Sequence, residues 1–281
     1  MTSYITSFLE NPREMLIFIL LSVPGRLLAL SLHEFAHAWT ANRCGDPTAR
    51  MLGRLTVNPA RHLDLVGTIM MLTLGFGWAK PVPVNPRNYR NERWDDLKVS
   101  IAGVTMNLIM FVVSFLAMCG IVGLTIHSLP HAGWLTAPKE GLYVANYMGQ
   151  AAVQDGAYYI YVKDLFTMAP YVSDYLIVPT LGRVAGYAYE MLSYFVLVNI
   201  ALAVFNLIPI PPLDGYHVLN DLVLRKSLFA SPKVSRIAYI VLLVLVFCTP
   251  VISKLILWVE DLLMSGLGGA MCALFGAVGL L

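Results

Sequence analysis

Four stretches of the chain are apolar for twenty residues or more: Met15 to Thr40, Val99 to Ile126, Val184 to Leu207 and Ile237 to Val259. About 20 such residues in a helix cross the hydrocarbon core of a bilayer. In lipid a backbone must satisfy its own polar groups, and uninterrupted apolar runs do so as helices. The expected fold is therefore an all-α integral membrane protein, a polytopic helix bundle of about 4–6 spans. Composition agrees, with 58% hydrophobic and only 13% charged residues, against roughly 25% charged in a soluble domain. The net charge of +2 and the lack of a long basic run argue against nucleic acid as a partner.

Two further segments are shorter or less regular. Leu262 to Leu281 is uncharged and carries five glycines, which fits a close-packed last span or an interfacial hairpin. Leu65 to Ala79 is apolar for only fifteen residues and contains Gly75 and Gly77 near its end, so a re-entrant or interfacial piece is expected there. No repeat or appended module interrupts the chain. Residues 1–281 read as one domain, with its core in 15–126 and 184–259. Glu10, Arg13 and Glu14 precede the first apolar run, so no removable signal peptide is expected. The four cysteines are far apart, with no CxxC, which fits neither a disulfide framework nor a zinc knuckle.

Basic residues give an orientation. Nine Lys and Arg lie between the first two spans (Arg43, Arg50, Arg54, Arg61, Lys80, Arg87, Arg90, Arg93, Lys98), and Arg225, Lys226, Lys233 and Arg236 follow the third. The connection 127–183 has only Lys139, Lys163 and Arg183. Both basic connections are expected on the cytoplasmic side and 127–183 on the other.

At the cytoplasmic end of the first span the sequence reads His33-Glu34-Phe35-Ala36-His37, an HExxH match. Residues four apart share a helix face, so His33 and His37 can offer imidazoles to one zinc while Glu34 stands beside the open coordination position. A hydrolytic zinc site wants a third protein ligand. The best candidate is Asp214, in Asn206-Leu207-Ile208-Pro209-Ile210-Pro211-Pro212-Leu213-Asp214-Gly215. Three prolines in four positions end the third span, and an acid at such a break is costly unless paired or metal-bound. Asp214 also falls on the side of His33 and His37. Its rival role is as N-cap of a following helix. His62, with Asp64, and His217 are lesser candidates for the ligand, and more ordinarily plain polar contacts. Iron or cobalt could occupy an N,N,O site as well as zinc.

HEFAHAW together with NLIPIPPLDG resembles the site-2 protease family of intramembrane zinc metalloproteases, peptidase family M50. The segments Cys44 to Pro59 and Gly77 to Pro86 resemble its compact bacterial-type members without a PDZ domain. The resemblance implies one Zn2+ per chain held by His33, His37 and Asp214, and Glu34 as general base. It implies a polar role for Asn206 at the substrate or oxyanion. Gly103-Val104-Thr105-Met106-Asn107 matches the family's Gly-Pro-x-x-Asn signature except at the proline, and so adds Asn107 as a second candidate for that role. Both asparagines could equally be interhelical hydrogen bonders.

The implied activity is hydrolysis of a peptide bond within or near the transmembrane segment of a membrane-protein substrate. The implied location is a bacterial-type cell membrane, with the active site towards the cytoplasm. A substrate helix must unwind before its carbonyls can be reached. The Trp78 to Asn85 stretch, with Val82 and Val84 alternating with Pro81 and Pro83, has the composition of a short edge strand that could pair with the unwound piece. A metalloprotease of soluble chains, or a zinc-binding carrier without protease activity, are the rival readings. Glu34 favours an enzyme, because a carrier site has no need of a free carboxylate beside the metal.

Overall fold

A computed structural model describes residues 9–74, 77–128, 141–145, 157–161, 173, 177–224 and 231–278. Backbone contacts group the chain into two compact units, Met1–Phe111 with Leu197–Trp258, and Val112–Val196 with Val259–Leu281.

In the first unit, helix α1 (Pro12–Cys44) starts on a proline, whose missing N–H has no helical partner to lose. It closes at Gly45, in the left-handed region at φ 110°. There the Asp46 N–H reaches Ala41 O at 2.9 Å, the bond pattern that ends helices on glycine. A short α2 (Thr48–Met51) and a 3-10 turn at Pro59–Arg61 lead to α3 (Leu65–Leu74). The chain then returns to where α3 began. Leu63 bridges Ala79 in antiparallel sense, and Lys80 N–H donates to His62 O at 2.7 Å. Glycines allow the close return, since a Cβ on Gly67 would lie 2.2 Å from the Trp78 carbonyl oxygen.

Residues 80–85 follow in an extended course to a second 3-10 turn, Pro86–Asn88. Beyond the Leu63–Ala79 bridge they form no strand ladder among the described residues. Buried Asp46 ties this stretch to the end of α1. It accepts from Asn85 N–H at 2.7 Å, Asn88 Nδ2 at 2.8 Å, Thr48 N–H at 3.1 Å and the Thr48 hydroxyl.

Helix α4 (Glu92–Ser128) runs 37 residues. Ahead of α6 (Arg183–Asn206) come a strand pair and the short α5 (Val178–Leu181). The pair, β1 (Gly141–Ala145) and β2 (Ala157–Tyr161), is antiparallel in register from Gly141↔Tyr161 to Ala145↔Ala157. It is the exception to an otherwise helical fold among the described residues. The segments GLYVA and AYYIY hold the aromatic and branched residues that favour strands. The rest of the 127–183 connection, with Lys139 and Lys163, lies outside the described residues apart from a few positions near its ends.

After α6 come α7 (Asp214–Leu219), a π turn at Asn220–Leu224, α8 (Pro232–Cys248) and α9 (Val251–Ala277). Here the structure corrects the expected spans. Ile237 to Val259 is not one helix, and Leu262 to Leu281 is not a separate one. The break falls at Thr249–Pro250, and α9 continues unbroken through Glu260 and Asp261. Pro250 supplies no N–H to α8, and it forces Thr249 into the extended conformation seen, φ −133° and ψ 153°. Leu213, Leu242 and Ile252 form a buried cluster around this turn.

Among the described residues four helices are long and apolar enough to cross a membrane: α1, α4, α6 and α9. In the second unit Phe115, Met118, Cys119, Val122 and Tyr189 are buried, and the Phe275 ring of α9 comes to 3.6 Å of where a Cβ on Gly123 would stand. On α4 Leu108, Ile109, Val112, Val113 and Leu116 are each more than 40% exposed. A contiguous apolar face of this kind is stable against lipid. The chain is a multi-pass membrane protein.

Candidate metal centre

The centre begins with one stripe of α4 facing the last turns of α1. Val99, Gly103 and Asn107 recur every fourth residue and so share a face. His37 Nδ1 meets Val99 O at 2.7 Å, and one turn away His33 Nδ1 meets Asn107 Oδ1 at 2.7 Å. Asn107 Nδ2 donates in turn to Asn199 Oδ1 of α6 at 3.1 Å. Gly103 sits between these contacts. A Cβ there would be 2.4 Å from His37 Nε2 and 2.7 Å from His33 Nε2. Side chains on a helix lean towards its N-terminus, so a larger residue at 103 would also crowd the Val99 carbonyl that His37 uses.

Asp214 arrives from the break after α6. The helix stops at Asn206, and Pro209, Pro211 and Pro212, the last two joined by a cis bond, carry the chain through a tight turn. Helix α7 begins against that turn, and a Cβ on Gly215 would be 2.2 Å from Leu207 O. Asp214 is the first residue of α7 and does not cap it. Leu213 holds the cap position, with no side-chain bond.

The three side chains meet. His33 Nε2 and His37 Nε2 are 3.0 Å apart, and Asp214 Oδ2 is 3.4 Å from the first and 3.3 Å from the second. A tetrahedral zinc with bonds of about 2.0–2.1 Å has ligand atoms about 3.3–3.4 Å apart, so these atoms have the dimensions of one face of its coordination shell. The protons point the same way. A carbonyl oxygen only accepts, so His37 carries its hydrogen on Nδ1 and presents a lone pair at Nε2. The Asn107 carboxamide, its nitrogen engaged with Asn199, does the same for His33. Asp214 Oδ2 is buried without a hydrogen-bond partner. Three lone pairs converging in a largely buried site repel one another unless a cation lies among them, and the N,N,O donor set suits zinc.

Glu34, between the two histidines in sequence, is anchored elsewhere. Its Oε2 accepts the Val82 N–H at 2.7 Å. The extended stretch that carries Val82 is held by Arg54, whose Nη2 donates to Lys80 O at 2.7 Å and Pro81 O at 3.3 Å. Val82 is buried against Ala38 and Ala49, while Val84 is exposed.

The remaining sequence candidates fall outside the triangle. Asn107 is 1% exposed, with its oxygen on His33 and its nitrogen on Asn199, so it stands behind the His33 imidazole. Asn206 Nδ2 donates to Leu202 O of its own helix at 3.0 Å. His62 is buried with Nε2 on Thr56 O at 2.7 Å. His217 Nδ1 lies 3.2 Å from Asp96 Oδ2, a contact that raises its pKa. Sequence reasoning passed over Asn199, although an asparagine deep in an apolar span is itself a signal. It also missed the four-residue spacing that puts Gly103 and Asn107 on one face.

Comparison with known proteins agrees with this geometry. Peptidase family M50 matches residues 25–249. YwhC of Bacillus subtilis (strain 168), named as a candidate zinc metalloprotease, is 31% identical over 254 residues, 89% of each chain. Rip2 of Mycobacterium tuberculosis (strain ATCC 25618 / H37Rv), named likewise, is 24% identical over 248 residues, 85% of this chain and 73% of Rip2. No solved structure matches. With an HExxH helix whose two imidazoles meet Asp214 at zinc-ligand spacing, and a family match across most of its length, the chain belongs to peptidase family M50 and is a zinc metalloprotease.

Proposed function

We propose that this protease hydrolyses a peptide bond within or near the transmembrane segment of membrane-protein substrates, with its active site towards the cytoplasmic side. The observation that carries the reading is where the ligands originate. His33 and His37 lie on a membrane-crossing helix, and Asp214 follows the proline break that ends another. A protease of soluble chains has no need to build its centre from such helices. The six basic residues between α1 and α4, with Arg43 in the last turn of α1 and Arg93 and Lys98 in the first turns of α4, support the cytoplasmic orientation.

When bound, zinc would polarise the scissile carbonyl and activate water. His33, His37 and Asp214 would hold it, with Asn107 and the Val99 carbonyl fixing the imidazoles. Glu34 would take the proton from water and hand it to the leaving amine through Oε1, the oxygen not engaged by Val82. Asn206 keeps one amide proton beyond the one given to Leu202 O, and that proton is available to a substrate carbonyl or oxyanion.

Val82 and Val84 would seat the unwound substrate as an added strand. Among the described residues the carbonyls of Val82 and Val84 and the Val84 N–H have no hydrogen-bond partner, which leaves a short row of free groups beside Glu34. The excursion around α3 suits a re-entrant piece. Ten residues reach about 15 Å, half the hydrocarbon core, and Leu65, Val66, Ile69 and Leu72 face outwards.

Purified protein reconstituted with a single-span substrate tests the reading by measuring zinc content and cleavage together. Glu34→Gln is expected to keep zinc and lose cleavage, and Asp214→Asn to lose both. Undiminished cleavage by Glu34→Gln refutes the assigned base, and a cut mapped far from the bilayer refutes the substrate class.

A further inference from the structure

The stretch suited to seat the substrate also holds the base. Glutamate has three rotatable side-chain bonds, and nothing within α1 fixes its carboxylate. The Val82 N–H does so from 48 positions along the chain, at 2.7 Å from Oε2. Lys80, Val82 and Val84 alternate with the two prolines of the stretch. Lys80 is fully engaged, its N–H on His62 O and its C=O on Arg54. Val82 gives its N–H to Glu34 and keeps its C=O free. Pro81 and Pro83 have no N–H to offer. Val82 also packs its side chain on Ala38, one helical turn beyond Glu34, so a single residue grips the base and the turn behind it.

We propose that the Val82 main-chain N–H is a positioning group for the general base, so that substrate seating and base orientation are one mechanical unit. A peptide paired with the Val82 carbonyl and with Val84 would lie at a fixed distance from Glu34, because Val82 contacts both. With Oε2 held, Oε1 is the oxygen left to exchange protons. The inference rests on the protease reading, with Glu34 as base and residues 82–84 as the substrate edge.

The test compares Val82→Pro, which removes the N–H and keeps the carbonyl, with Val82→Ala, which keeps both. Reconstituted protein and a single-span substrate give zinc content, kcat and KM. Val82→Pro is expected to lower kcat about 10- to 100-fold, the effect of misplacing a reacting group by about 1 Å, with KM and zinc little changed. Val82→Ala, which keeps the N–H, sets the cost of losing the side chain alone, and kcat in Val82→Pro is expected about 10-fold or more below it. Wild-type kcat in Val82→Pro, or an equal fall in both variants, overturns the inference.

If Val82→Pro fails to hold zinc, Arg54→Gln decides. Freeing the Lys80 and Pro81 carbonyls is expected to lower kcat about 3- to 10-fold with zinc retained, and an unchanged kcat overturns the inference. Hydrogen exchange supplies a readout independent of turnover. Val82 has the sole amide hydrogen between Lys80 and Val84, and it is expected to exchange at least about ten-fold faster in Glu34→Ala than in the wild type. Equal rates overturn the inference. Undiminished cleavage by Glu34→Gln would instead overturn the assignment of Glu34 as base, on which the proposal rests.

Discussion

Gly103→Ala adds one methyl group where α4 presses closest on His33 and His37. Its Cβ would stand 2.4 Å from His37 Nε2, 2.5 Å from His33 Cε1 and 2.7 Å from His33 Nε2, where ordinary contacts begin at 3.4 Å. Relief needs a retreat of roughly 1 Å by both imidazoles or by α4, in an interior packed too densely to give way freely. Metal sites tolerate about 0.2 Å in ligand distance. Moving the imidazoles also stretches their bonds to Val99 O and Asn107. Removing an outer-shell partner typically costs 10- to 100-fold in metal affinity, and displacing the ligands themselves should exceed that, so a loss of more than about 100-fold is expected. Overpacking adds about 1–3 kcal/mol of destabilisation. Zinc competition against a chelator of known affinity, with thermal unfolding in parallel, measures both. Gly120→Ala on the same helix is the control, because nothing lies within 4 Å of its Cβ, and it should leave zinc binding intact. Wild-type zinc affinity in Gly103→Ala would refute the close packing of α4 on the ligands.

Asn107→Ala removes the acceptor behind His33 and should weaken zinc binding about 10- to 100-fold, read by the same competition. Gly215→Ala, whose Cβ would strike Leu207 O, should push α7 and Asp214 away and release zinc, and metal content after dialysis checks it. Asp46→Ala strands Asn85 N–H and Asn88 Nδ2 and should cost about 2–4 kcal/mol in thermal or denaturant unfolding. The Asp46 pKa is lowered, because its hydrogen bonds outweigh the opposing effect of burial. A depressed folded-state pKa gives stability that is fully present above the unfolded value, about 3.9, and lost as pH falls through the folded one. The gap between wild type and Asp46→Ala should therefore be widest near neutral pH and close below about pH 4. A gap independent of pH would refute the ionised role.

The sequence by itself determined the solvent, three of the four long helices and the chemistry. Apolar runs of span length leave a backbone few other ways to satisfy itself in lipid, and two histidines four apart on a helix face one way. Proline's missing N–H marks the end of α6 at any level of description. The same property of Pro250 was hidden within an apolar run, where composition outweighed one residue, and the spans around it were misdrawn.

Only the tertiary structure decided what stands behind each functional group. Which carbonyl fixes the His37 tautomer, that Asn107 backs His33, and that Val82 grips Glu34 all depend on contacts between segments tens of residues apart. Helical or strand periodicity carries no record of them. The glycines show the limit well, because Gly103 and Gly215 owe their places to the atoms of other segments that press against them.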